Sequence, residues 1–262
     1  MNAITTRVCV LAIAAAAAAN APRGAAAAGA VSMRYDVATP VSLYEPLILI
    51  GTLTNESERP IRIEMGRDYV GAMHLSLLGP DHRQVTAEPG QVTGVGGLFL
   101  PGQVTLAAGE NRSFRWVLNT WFPIDQSGAY QLTVRGPSRA SQEGTVVPVT
   151  GATAEIHFTV EPRDPARLEQ HARSLLHAIS SSPDWTDTKQ AALELAAIRD
   201  PIAVPYLSEA ISLNRHVDVI CIGGLERIGE PAVDALRQHA QNPDPGTSAA
   251  ARVALERLGK SG

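Results

Sequence analysis

Hydrophobic and polar residues follow two different periods along the chain. From Met33 to Val160 they form short runs, alternating or rich in β-branched and aromatic residues, separated by Gly, Pro, Asn and Asp. That pattern predicts an all-β sandwich, with strands at 33–39, 47–55, 61–65, 72–78, 84–87, 103–107, 112–119, 129–135 and 153–161. The run 47–53 begins apolar on both faces and suits a central strand. After a turn at Gly109, Phe114, Trp116 and Leu118 fall on one face of a strand.

The period changes at residue 162. Pro162 and Pro165 stiffen the segment 162–165, which reads as a linker. Beyond it Leu168, Ala172, Leu175, Leu176 and Ile179 recur at helical spacing, predicting an amphipathic helix over 166–180. The remaining helices repeat. Leu195, Leu225 and Leu255 are thirty residues apart, as are Ile198, Ile228 and Leu258, and Pro201 and Pro231 share the interval. Leu225-Glu226-Arg227-Ile228-Gly229 returns as Leu255-Glu256-Arg257-Leu258-Gly259. A fixed period with leucine, isoleucine and proline in phase predicts stacked helical repeats.

Two resemblances extend this reading. Asp125 to Tyr130, followed by alternating Leu132 and Val134, resembles the tyrosine corner of immunoglobulin-like domains, which implies such a sandwich over roughly residues 33–161. Ala192 to Leu207, with Asp200-Pro201 at its turn, resembles the short HEAT-like repeats also found in phycobilin lyases. This implies about three helix pairs over roughly 166–259 and a role in protein–protein interaction. Glu230 departs from that pattern, replacing the aspartate before Pro231, and the sandwich lends no support to a lyase. The expected fold is thus multidomain: a leader at 1–30, an all-β immunoglobulin-like sandwich at 31–161, a linker at 162–165 and an all-α HEAT-like solenoid at 166–262.

The first thirty residues differ in kind from the rest. Arg7, the apolar run Val8 to Ala19 and the small residues that follow have the order of a secretory signal peptide, cleaved before Val31 or before Asn20. The run is too short and alanine-rich for a membrane span, and Cys9 lies inside it with a valine on each side, unlike an acylation site. No transmembrane segment or lipid anchor is expected after cleavage. The net charge of −4 becomes more negative by two when Arg7 and Arg23 leave, which disfavours nucleic acid as a partner. Cys221 is then the single cysteine, so no intramolecular disulfide is available.

Candidate chemistry is sparse. Gly90 to Gly97 lacks the Lys-Ser/Thr of a phosphate loop and reads as an exposed loop. No zinc or calcium spacing occurs. Glu155 and His157 share a strand face, and His171 and His177 point about 240° apart around a helix. No nucleophile elbow is present, and Cys221 in an apolar run reads as a small buried hydrophobe. Trp121-Phe122-Pro123 is expected to plug the end of the sandwich, and Trp185 to pack where the first two helices turn. Neither catalytic residues nor a cofactor or metal are expected. Partner contact is assigned to Glu226, Arg227, Glu256 and Arg257, against the alternative of a solvated helix face.

These readings converge on an exported, periplasmic or extracellular, non-catalytic binding or scaffolding protein that contacts another protein through its helices. The alternatives are a proteinase inhibitor acting through loops such as 90–102 and an enzyme with a site in the cleft between the two parts.

Overall fold

The computed structural model describes residues 30–66, 73–87 and 102–260. The leader up to Gly29 and nearly all of the glycine-rich stretch 90–102 therefore lie outside the described residues. Among the described residues eleven strands precede six helices: β1 (Val31–Val37), β2 (Val41–Ser42), β3 (Ile48–Asn55), β4 (Ile61–Glu64), β5 (His74–Leu78), β6 (Gln103–Leu106), β7 (Asn111–Val117), β8 (Gly128–Arg135), β9 (Arg139–Gln142), β10 (Thr145–Thr150) and β11 (Thr153–Glu161). They form a seven-stranded sheet ordered β6-β4-β9-β10-β1-β3-β7 and a four-stranded sheet ordered β2-β11-β8-β5. Both are mixed, because β1 runs parallel to β10 and β2 parallel to β11.

Alternation decides which side of each strand is buried. In β3, Leu49 and Leu53 enter the core and Thr52 and Thr54 face out. Gly51, between the two leucines, leaves room for the Trp116 ring of β7; a Cβ there would lie 2.5 Å from Trp116 Cζ3. The hydroxyl of Tyr130 donates to the Gln126 carbonyl at 2.8 Å, and its ring stacks on Phe158. Phe122 and Ile124 are buried in the same core, so the Trp121-Phe122-Pro123 segment does close it. The β9–β10 hairpin was illegible in the pattern because Pro148 interrupts it. It turns at Glu143 and Gly144, whose φ angles of 50° and 83° match a two-residue type I′ turn. The strand expected at 84–87 is reduced to one bridge between Gln84 and Leu78.

The helices are α1 (Pro165–Ser181), α2 (Trp185–Ala196), α3 (Val204–Leu213), α4 (Asp218–Ile228), α5 (Val233–His239) and α6 (Pro245–Arg257), with short 3-10 turns at Pro201–Ala203 and Glu230–Ala232. Asp164, Asp184 and Asp244 cap α1, α2 and α6 through backbone N–H groups of the first turn. Helices α1 and α2, α3 and α4, and α5 and α6 pack pairwise, and α2, α4 and α6 pack side by side. Leu195, Leu225 and Leu255 are all buried in one apolar cluster, so the thirty-residue interval does mark equivalent inward positions.

The expected architecture nevertheless needs correction. Among the described residues the fold is mixed α/β, about 37% helix and 31% strand, with six helices and two mixed sheets; it is not an immunoglobulin-like sandwich followed by an all-α HEAT-like solenoid. Periodicity reports which side of an element avoids water, but not which element covers it. Here an eleven-strand arrangement with parallel pairs replaces the immunoglobulin pattern, and strands as well as helices cover α2. Helix α5, moreover, has only seven residues.

Candidate functional site

The strands and helices meet along a seam built from arginine and buried acid. Ile48 of β3, Val117 of β7 and Ala197 at the end of α2 form a small buried cluster, with Ile50 and Leu193 packed against it. Around it Arg115 of β7 donates to the buried carboxylate of Glu194 at 2.8 Å, and Gln190 donates to the same oxygen at 2.9 Å. Arg167 of α1 donates to buried Glu45 at 2.7 Å and to the Pro40 carbonyl at 2.6 Å. The other oxygen of Glu45 accepts from the Ser42 N–H at 2.7 Å. Arg163 grips buried Asp200 with two guanidinium nitrogens, and Arg199 reaches the Asn119 carbonyl at 3.3 Å. Buried Asn119, just after β7, accepts from the Leu47 N–H and donates to the Glu45 carbonyl, which ties the seam to the segment leading into β3.

Each buried acid is therefore hydrogen-bonded, the condition under which a buried charge is tolerated. The guanidinium beside Asp200 is the main influence on that carboxyl and holds it below the usual carboxylate range. The same acid caps the 3-10 turn through the Ile202 N–H at 3.0 Å. The segment read as a linker is thus anchored at both ends, Arg163 on Asp200 and Asp164 on the first turn of α1.

The face of α2 that the strands cover has equivalents on its neighbours. Leu193 and Ala197 are thirty residues from Gly223 and Arg227 of α4, which are thirty from Val253 and Arg257 of α6. On α4 and α6 this face carries partly exposed side chains. Val219 and Val253 are 43% and 45% exposed, and a Cβ at Gly223 would meet nothing closer than Arg227 Nη1, at 3.9 Å. A quarter-turn or so around α4, a Cβ at Gly224 would lie 2.9 Å from Ala196 Cα and 3.1 Å from Leu207 Cδ2, so that glycine marks a close approach of α2 and α4. The two adjacent glycines therefore separate an open face from a packed one.

The four residues assigned to partner contact lie at this face but not as a uniform ridge. Arg227 is half-buried and donates to the Ala196 carbonyl at 2.8 Å, closing the last turn of α2. Arg257 is exposed and reaches the Glu226 carboxylate at 3.3 Å, a side-chain contact where Arg227 takes a backbone carbonyl. Glu256 is exposed. Trp185 does not pack into the helix turn as expected. It is 48% exposed, with its ring edge-on to His216 at 5.9 Å. Sequence reasoning missed the acids and arginines of the seam, because nothing in a single chain pairs Glu45 with Arg167. Val219, Gly223 and Val253 were also missed, although the thirty-residue phase that found the leucines could have found Gly223 and Val253.

Chemistry elsewhere is limited. Among the described residues no group of three His, Cys, Asp or Glu side chains is placed to hold a metal ion. His157 and Glu155 are 3.0 Å apart on an exposed strand face. Cys221 is buried, and its thiol is pushed up to about 12, by burial first and by Asp218 second. No helix among the described residues is long and apolar enough to cross a membrane.

Comparisons with known proteins add little. No protein-family model matches, and no curated protein does. Among solved structures, a β-glucosidase from Listeria innocua is 13% identical with a TM-score of 0.25, over 51% of this chain and 16% of that one. A β-glucosidase from Kluyveromyces marxianus is 11% identical with a TM-score of 0.23, over 51% and 14%. Astrotactin-2, a perforin-like membrane protein, is 9% identical with a TM-score of 0.18, over 86% and 39%. The chain thus spans about one sixth of the length of the Listeria glucosidase. Scores this low carry no argument about activity. The expectation that the chain is not an enzyme is not carried forward, and no activity is assigned in its place.

Proposed function

We propose that the chain is an exported protein-binding module whose contact surface is the outer face of α4 and α6. Val219, Gly223 and Val253 form its apolar centre, and Glu226, Glu256 and Arg257 its charged rim. The observation that carries this reading is the contrast between neighbours: the equivalent face of α2 is covered by Ile48 and Val117, whereas on α4 and α6 it stands open. Single exposed valines are ordinary on a protein surface. One repeat position, Leu193, Gly223 and Val253, is non-polar on all three helices, and on α4 and α6 it lies beside charged residues, as in a contact centre ringed by charge.

Photo-crosslinking tests the surface. A crosslinkable residue at Val219 or Val253 is expected to trap a discrete protein, and one at the exposed Thr159 of β11 is not. Arg257→Glu should lower the yield. Equal trapping from Thr159, or none from the helices, would refute the reading. Export rests on residues 1–30 and is checked by the mature N terminus, expected between Asn20 and Val31; protein from the envelope fraction that retains Met1 would count against it.

A further inference from the structure

We infer that Ala30 belongs to the folded module and stays on the mature chain, so that the leader is cut upstream of it and not at the Ala30–Val31 bond. The inference rests on the export reading above and deepens it by choosing between its two cleavage sites. The sheet itself marks the boundary. The Ala30 carbonyl accepts from the Glu56 N–H at 3.0 Å, which carries the antiparallel ladder of β1 and β3 one residue upstream of Val31. Ala30 also packs, half-buried, against the apolar core of the strands.

Val31 is a poor place for a chain to begin. It is fully buried and held between two strands, antiparallel to Asn55 of β3 and parallel to Val149 of β10. Its carbonyl accepts from the Thr150 hydroxyl at 3.0 Å. Asn55, directly opposite, gives its own N–H to the Glu110 carbonyl on the β7 side. The two residues therefore form a pair that does not exchange hydrogen bonds, and the Val31 nitrogen points towards β10.

Removal of a leader is hydrolysis. Water splits the bond, the leader leaves with a carboxylate, and the first residue of the mature chain keeps an ammonium. At Val31 that charge would sit within the seven-stranded sheet beside buried apolar residues, a costly position for an ion. The Glu56 N–H would lose its acceptor as well. An upstream cut avoids both, because the ammonium then precedes the first ladder bond. The small residues that signal peptidase requires, three and one positions before the bond, also stand before Asn20, as Ala17 and Ala19. Cleavage there keeps Arg23, so the net charge of −4 becomes more negative by one rather than by two.

The test uses the full precursor with its own leader, produced in the cell that exports it, and reads the intact mass of the exported protein. That mass is expected to match a chain starting at Asn20. In Ala30→Ser it should rise by the added oxygen atom; serine is small enough for signal peptidase at this position, so a mature protein forms whichever bond is cut. Any start that leaves Ala30 in place supports the inference, and a chain starting at Val31, with a mass blind to Ala30→Ser, overturns it. A second measurement compares mature chains that start at Asn20 and at Val31, each released from a cleavable fusion. The chain starting at Val31 is expected to melt at least about 3 °C lower, and equal melting temperatures would also overturn the inference. Retention of Met1 refutes export, and this inference with it, whereas a start at Val31 leaves export standing.

Discussion

Gly223 and Gly224 make adjacent positions of one helix predict opposite results. Both lie inside α4, where replacing glycine by alanine gains about 0.5–1 kcal/mol from the restricted unfolded chain. At Gly223 the added methyl meets open space, so that gain should appear in full. At Gly224 it would lie 2.9 Å from Ala196 Cα and 3.0 Å from Ala196 Cβ, contacts that cannot be relieved by a rotamer change because the first is to backbone. Helix α2 must move away from α4, an overpacking cost of about 1–3 kcal/mol. The propensity gain is common to both variants and cancels in their difference, leaving Gly224→Ala about 1–3 kcal/mol less stable than Gly223→Ala. For a chain of this size that is a gap of about 2 to 12 °C in melting temperature. Thermal unfolding followed at 222 nm measures it directly. Equal melting temperatures would refute the close α2–α4 approach, and a loss at Gly223→Ala matching that at Gly224→Ala would refute the open face.

Two further outcomes follow from the buried groups. Cys221 should resist N-ethylmaleimide at neutral pH in the folded chain and react on denaturation, since burial pushes its thiol up to about 12; rapid native labelling would turn that face of α4 outward. Asp200 binds fewer protons folded than unfolded, because the Arg163 hydrogen bond holds its carboxyl down. Its contribution is therefore full above the ordinary carboxylate range and is lost as pH falls through the lowered folded value. Urea unfolding between about pH 6 and pH 3 should show a shallower acid loss in Asp200→Asn than in the parent, and parallel curves would remove Asp200 from the seam.

The sequence by itself determined the local elements and their inward faces. Alternation located β3, β7, β8 and β11 because one side of each strand must avoid water, and the thirty-residue spacing of Leu195, Leu225 and Leu255 identified three equivalent buried positions for the same reason. Tyr130 and the plug at Phe122 were legible as well, since each depends on a few neighbouring residues. What alternation and period leave open is partnership. The parallel pairings of β1 with β10 and β2 with β11 join segments more than a hundred residues apart, and their side-chain patterns fit other partners equally well. The seam is of the same kind: Glu45 and Arg167, or Arg115 and Glu194, are unremarkable charges in the chain and become a buried network only when folding brings them within hydrogen-bond reach. Gly223 and Gly224 show the limit most simply. They are identical neighbours in sequence, and only the packing of α2 against α4 makes one a surface and the other a contact.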